Sequence, residues 1–116
     1  MRRAPLVAAA GAVALAVAGC GGGGSSTRTS TATTTSSAVA TGKQLFTSVG
    51  CSSCHTLADA GAKGQVGPNL DTLRPSDAAV VRQVTHGGGG MPAFDDQLSA
   101  QQIQAVARYV SSVAGH

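Results

Sequence analysis

Tryptophan is absent from the 116 residues, and two phenylalanines and one tyrosine supply all the aromatic bulk. A domain of this size therefore has little with which to fill a core of its own. A small core of that kind is expected to need a staple or a large apolar guest. Charge is scarce as well, at 11% of residues. From Thr41 onward the bases Lys43, Lys63, Arg74, Arg82 and Arg108 balance the acids Asp59, Asp71, Asp77, Asp95 and Asp96. No basic patch points to nucleic acid, so no nucleic-acid partner is expected. The formal net charge of +3 owes part of its sign to Arg2 and Arg3, in a segment expected to be removed. No internal repeat and no convincing strand pattern is present. Cysteine is limited to three residues, an odd number.

Two of those cysteines stand in Cys51-Ser52-Ser53-Cys54-His55. C-x-x-C-H is the attachment signature of a c-type haem. Cysteines three apart share one face of a helical turn and reach neighbouring edge positions of a flat macrocycle. The following histidine lies under the same ring, where its imidazole can take the fifth position on iron. A redox dithiol would open a helix in a βαβ context, which this chain does not offer. A structural zinc site wants four ligands, and the third cysteine, Cys20, is far upstream.

The remaining sequence divides into three parts. Met1-Arg2-Arg3 followed by apolar Ala4–Ala18 has the layout of a secretory signal, and it is short and weakly hydrophobic for a membrane span. Val17-Ala18-Gly19-Cys20 resembles a bacterial lipobox, which assigns residues 1–19 to a lipoprotein-type signal and makes Cys20 the lipidated N-terminus. A leftover thiol in an oxidising compartment then has a use. The alternative is cleavage after Ala18, giving a soluble secreted or periplasmic protein. Residues 20–40 are almost entirely Gly, Ser and Thr, a composition that cannot offset its ordering entropy, and are expected to be a flexible linker. A coil of that length averages ~25 Å end to end and stretches to ~70 Å.

Residues 41–116 are expected to fold as one all-α domain of three to five short helices and glycine-bearing loops around the cofactor. Thr41 and Gln44 fit a capping box, opening a helix with Leu45, Phe46 and Val49 on its apolar stripe. Gly42 suggests close approach by another backbone. Residues 56–70 read as a loop, with Leu70 and Leu73 turned inward. Ser76 caps a helix that turns Val80, Val81 and Val84 inward. Ser99 and Gln102 form a further capping box, and Leu98 can staple against Ile103. Ile103, Val106, Val110 and Val113 then run at helical spacing. The sixth iron position has three candidates: Met91, His86 and His116. A thioether favours ferrous iron, and Pro92 holds Met91 extended. His86 would give bis-histidine ligation, and His116 is the terminal residue.

From Thr41 to Val113 the chain resembles the class I cytochromes c, in the small bacterial branch near cytochrome c6 and the c551/c553 group. The matching pieces are Gly42 with Phe46, Cys51 to His55, Gly67-Pro68-Asn69-Leu70, Met91-Pro92-Ala93-Phe94, and Leu98-Ser99 through Tyr109-Val110. The resemblance implies one covalent haem c at Cys51 and Cys54, with His55 and Met91 as axial ligands. It also implies a hydrogen bond from His55 to the Pro68 carbonyl, which fixes the ring. First and last helices would cross, explaining Gly42 and pairing Phe46 with Tyr109. The implied function is a monomeric one-electron carrier rather than an enzyme, serving redox protein partners, and the lipobox-like segment at Cys20 places it at the outer face of the cell membrane. One departure is Gly87-Gly88-Gly89-Gly90, richer in glycine than the family's usual loop, which is expected to loosen Met91.

Overall fold

The computed structural model describes residues 27–116, so the signal segment and Cys20 lie outside the described residues. Five helices and one small sheet follow in order: α1 (Thr27–Ser48), α2 (Cys51–Cys54), β1 (Thr56–Leu57), a 3-10 turn (Ala58–Ala60), β2 (Ala62–Lys63), α3 (Leu70–Leu73), α4 (Asp77–His86) and α5 (Ala100–Val113).

The first helix departs from expectation. It begins at Thr27, not Thr41, and runs 22 residues. Thr41 is therefore no N-cap; its hydroxyl donates back to the Ser37 carbonyl at 3.0 Å. The second half of the segment expected to be a flexible linker is helical as well. No glycine or proline interrupts residues 25–41. A helix nucleated by the packed half from Gly42 onward can propagate backwards at a cost of only about 0.5 kcal/mol per Ser or Thr.

Helix α5 follows its local signals. Ser99 Oγ accepts from the Gln102 amide at 3.2 Å, and the Gln102 side chain accepts from the Ser99 amide at 2.8 Å, completing the box. Ile103, Val106 and Val110 are buried with Leu98, and Val113 packs on the core's edge. On α4, Ser76 accepts from the Ala79 amide, and Val80 and Val84 are buried while Val81 packs partly against them.

Helix α5 packs chiefly on α1 and next on α4. The α1–α5 crossing is tightest at Gly42, where an added Cβ would sit 2.6 Å from Tyr109 Cβ and closer still to the Ala105 carbonyl. One turn on, Phe46 meets Tyr109 edge to face, ring centroids 5.9 Å apart at 67°. Both are only 1% exposed. The expected crossing and aromatic pair are thus both present.

Two expectations need correction. Residues 56–63 contain a two-residue antiparallel ladder, Thr56 opposite Lys63 and Leu57 opposite Ala62, too short for any alternation to show in sequence. Leu70 is buried as expected, but Leu73 is 57% exposed, because the α3 turn ends at Arg74 in the left-handed region and leaves Leu73 on the rim of a cavity.

The loop over residues 56–63 is tied to the crossing by a polar cluster. Tyr109 donates its hydroxyl to Asp59 Oδ2 at 2.7 Å, and Lys43 pairs with the same oxygen at 3.0 Å. The Tyr109 hydrogen bond first, then Lys43, holds the Asp59 carboxyl below its ordinary value. Burial first, then Asp59, pushes the Tyr109 phenol up. A carboxylate depressed on folding stabilises the fold above its unfolded pKa of about 3.9. That contribution is lost as pH falls through the native value. Urea titrations between about pH 2 and 5 should show a shallower acid loss for Asp59→Asn than for the parent. Identical slopes would rule the cluster out as an acid-sensitive tie.

Candidate haem site

Helix α2 is a single turn, and it places Cys51 and Cys54 as free thiols on the wall of one cavity. Burial is the main cause that pushes the Cys51 thiol above its ordinary range, so it stays protonated near neutral pH. The chain then leaves the helix at His55, in extended conformation.

The segment after the small sheet returns to line the other side of the imidazole. Gly67 donates its amide to the Cys54 carbonyl at 2.8 Å, and Gly64 donates to the His55 carbonyl at 3.2 Å. The following residue supplies the orienting contact: His55 Nδ1–H donates to the Pro68 carbonyl at 2.9 Å. In the neutral ring this bond selects the tautomer with the proton on Nδ1 and the lone pair on Nε2, the form a metal requires. Asn69 caps α3 by accepting from the Asp71 and Thr72 amides, at 2.9 and 3.3 Å. Asp71 in turn accepts from Ala58 and Gly115, joining the loop and the C-terminus to the base of the site.

The opposing stretch is the Gly87–Met91 loop. The glycines do not leave it open. Gly88 and Met91 exchange two backbone hydrogen bonds, Gly88 N–H to Met91 at 2.8 Å and Met91 N–H to Gly88 at 3.1 Å. Gly89 and Gly90 between them have φ of 62° and 91°, the signature of a type I′ turn, which glycine adopts without strain. Gln83 of α4 pins the turn by donating Nε2–H to the Gly88 carbonyl at 3.0 Å. Phe94 N–H bonds the Val84 carbonyl at 2.9 Å, so Met91 is carried on a loop fastened at both ends.

Between these walls lies a cavity of about 740 Å³. Cys51, Cys54, His55, Pro68 and Met91 all line it. Its floor is apolar, from Phe46, Leu70, Val80, Val106 and Val110. Val66, 85% exposed, stands at its mouth with Leu73. His86 and His116 are both exposed and do not line the cavity. The structure thus gathers both thiols, the imidazole, its carbonyl partner and one thioether, and leaves the two rival histidines outside. A flat apolar macrocycle with two edge attachments fits this donor set and lining. Sequence reasoning missed Gln83 and Val66; only the spacing Gln83 to Gly88, one turn before the loop, carried any signal.

Comparison with known proteins agrees with this geometry. Residues 37–110 match the family described as cytochrome c oxidase, cbb3-type, subunit III. Cytochrome c6 of Microcystis aeruginosa is 42% identical over 76 residues, covering 58% of this chain and 88% of the relative. Cytochrome c6 of Diacronema lutheri is 34% identical over 82 residues, 66% of this chain and 98% of the relative. Among solved structures, the c-type cytochrome SorU from Sinorhizobium meliloti superposes with a TM-score of 0.67 at 48% identity, covering 69% of this chain and 94% of that one. The chain belongs to this cytochrome c family, as a small class I cytochrome c that holds one covalent haem c and carries electrons.

Proposed function

We propose that the protein is a membrane-tethered, extracytoplasmic one-electron carrier in a respiratory or related chain, with the haem attached at Cys51 and Cys54 and the iron held between His55 and Met91. The observation that carries this reading is the convergence of these four side chains on one apolar cavity, with His55 oriented by Pro68. Haem supplies an iron that cycles between ferrous and ferric states. The protein's part would be to offer His55 and Met91 to the iron from opposite walls of the cavity, leaving no position open for a substrate. The turn and loop fastenings at Gln83 and Phe94 hold the backbone on either side of Met91, which would limit its movement when the iron changes oxidation state. The apolar floor excludes water and favours the less charged ferrous centre. Electrons would pass at the cavity mouth to docked redox proteins, with modest salt dependence because acids and bases balance from Thr41 onward.

The ferric protein should show the weak far-red sulfur-to-iron charge-transfer band, and Met91→Ala should abolish it and lower the potential. Retention of the band in that variant would refute Met91 as ligand. Tethering rests on Cys20 in its lipobox-like setting. Cys20→Ser should move the protein from the membrane to the soluble fraction; continued membrane association would remove the lipid anchor from the reading. Among the described residues no helix is long and apolar enough to cross a membrane.

A further inference from the structure

The two segments that meet at the imidazole run side by side in one register. His55 Nδ1–H donates to the Pro68 carbonyl at 2.9 Å, Thr56 forms a parallel bridge with Asn69, and the Ala58 amide donates to Asp71 Oδ2 at 2.8 Å. The first and last pairs are each 13 residues apart, and Thr56 with Asn69 keeps the same offset. An isolated bridge constrains register weakly, and successive carbonyls of an extended chain point to opposite sides. A slip of one residue would therefore carry the Pro68 carbonyl out of reach of Nδ1. The rung at Asp71 is made by a side chain, and it is braced from outside the pair. Asp71 is half-buried, and its other oxygen, Oδ1, accepts from the Gly115 amide at 3.1 Å. Arg74 Nη2 donates to the Gly115 carbonyl at 3.1 Å, so the chain just past α5 is held through both of its backbone groups there. The Asp71 amide donates to Asn69 Oδ1 at 2.9 Å, which ties the rung to the residue next to Pro68.

We infer that Asp71 is a positioning residue for the imidazole proposed to hold the iron: its carboxylate fixes the register in which the Pro68 carbonyl meets His55 Nδ1. The inference rests on His55 being an iron ligand. Two backbone N–H groups from separate parts of the chain converge on this side chain, and an ionised carboxylate accepts from both at once. An amide there would keep one oxygen and turn a donor towards the other N–H. Alanine would leave both the Ala58 and the Gly115 amides without their acceptor. Asp71 does not line the cavity, so it reaches the site through residues 68–71 rather than by touching the haem.

The test is NMR of the His55 ring in the haem-loaded ferric parent, Asp71→Ala, Asp71→Asn and Ser99→Ala. Ser99→Ala removes the N-cap of α5 and lowers stability away from the paired segments. Asp71→Ala should speed exchange of the His55 Nδ1 proton with water about 10- to 100-fold, the size of one charge-assisted hydrogen bond. It should also move the hyperfine-shifted resonances of the ring, because the imidazole turns against the iron. Asp71→Asn keeps the side-chain volume and one acceptor, and should lie between Asp71→Ala and the parent on both readouts. Ser99→Ala should leave the ring resonances in place. Unchanged exchange and unmoved resonances in the Asp71 variants would overturn the assignment. Equal acceleration in Asp71→Ala and Ser99→Ala with unmoved resonances would also overturn it, as a loss of overall stability only. If Asp71→Ala does not fold, the same two readouts in Asp71→Asn decide the matter. A parent whose His55 ring shows no hyperfine shift refutes His55 as ligand, a separate failure that takes this inference with it.

Discussion

Gly42→Ala should destabilise the protein by about 3 kcal/mol or more. The new carbon would stand 2.6 Å from Tyr109 Cβ and nearer to the Ala105 carbonyl. Both are backbone-fixed, so no rotamer change relieves the clash. The helices must move apart instead. Separation at Gly42 weakens the Phe46–Tyr109 contact one turn away, and Phe46 is part of the cavity floor. Stability and haem retention should therefore fall together. Against a typical total of about 5–15 kcal/mol, a loss of this size leaves a large unfolded fraction on warming. Denaturant midpoints of the two proteins measure the loss, with the yield of haem-loaded protein as second readout. Thr41→Ala is the matched control. An N-cap at Thr41 would make that change cost about 1 kcal/mol. In mid-helix and exposed, Thr41 should cost less than about 0.5 kcal/mol. A Gly42→Ala protein as stable as the parent would mean that the helices do not cross at this glycine.

The same region shows what could and could not be read in advance. The α5 capping box was legible because both of its bonds lie within four residues of one another. So was the C-x-x-C-H turn, whose chemistry is set by spacing alone. The start of α1 was not. Ser and Thr fill residues 25–37 so densely that no single N-cap stands out, and the helix extends because no breaker intervenes between Thr27 and the packed half. The Gly87–Gly90 run misled for the opposite reason. Composition suggested a loose loop, whereas two backbone bonds and the Gln83 amide make it a pinned turn. Glycine reports that φ is free to be positive; it does not report whether hydrogen bonds then fix it. The Tyr109–Asp59 bond spans 50 residues and the Gly115–Asp71 bond 44, separations at which no sequence pattern signals a contact. The site's residues were thus largely visible from motif and resemblance, and its fastenings were not.

Those fastenings make Gly67 the second position of large effect, acting on the site rather than on overall stability. A Cβ at Gly67 would meet the His55 ring, 2.6 Å from Cε1, 2.9 Å from Nδ1 and 3.1 Å from Nε2. The ring is planar and has no far end to swing aside. The backbone of Gly67 is held by its bond to the Cys54 carbonyl, so the imidazole is the part that yields. Rotation of the ring takes Nδ1 away from the Pro68 carbonyl and releases the tautomer that frees Nε2 for iron. Loss of such an orienting partner commonly weakens a metal site about 10- to 100-fold. Gly67→Ala should accordingly let added imidazole displace His55 from ferric iron at about 10- to 100-fold lower concentration than in the parent. The backbone at residue 67 does not require positive φ, so alanine is acceptable to the chain there and the effect isolates the ring contact. Gly89→Ala is the converse case: its φ of 62° strains alanine, but nothing lies within 4 Å of the new carbon. That variant should lose about 1 kcal/mol of stability while His55 keeps its bond to Pro68. If both variants bind imidazole alike, the contact between Gly67 and His55 is not what orients the imidazole proposed to hold the iron.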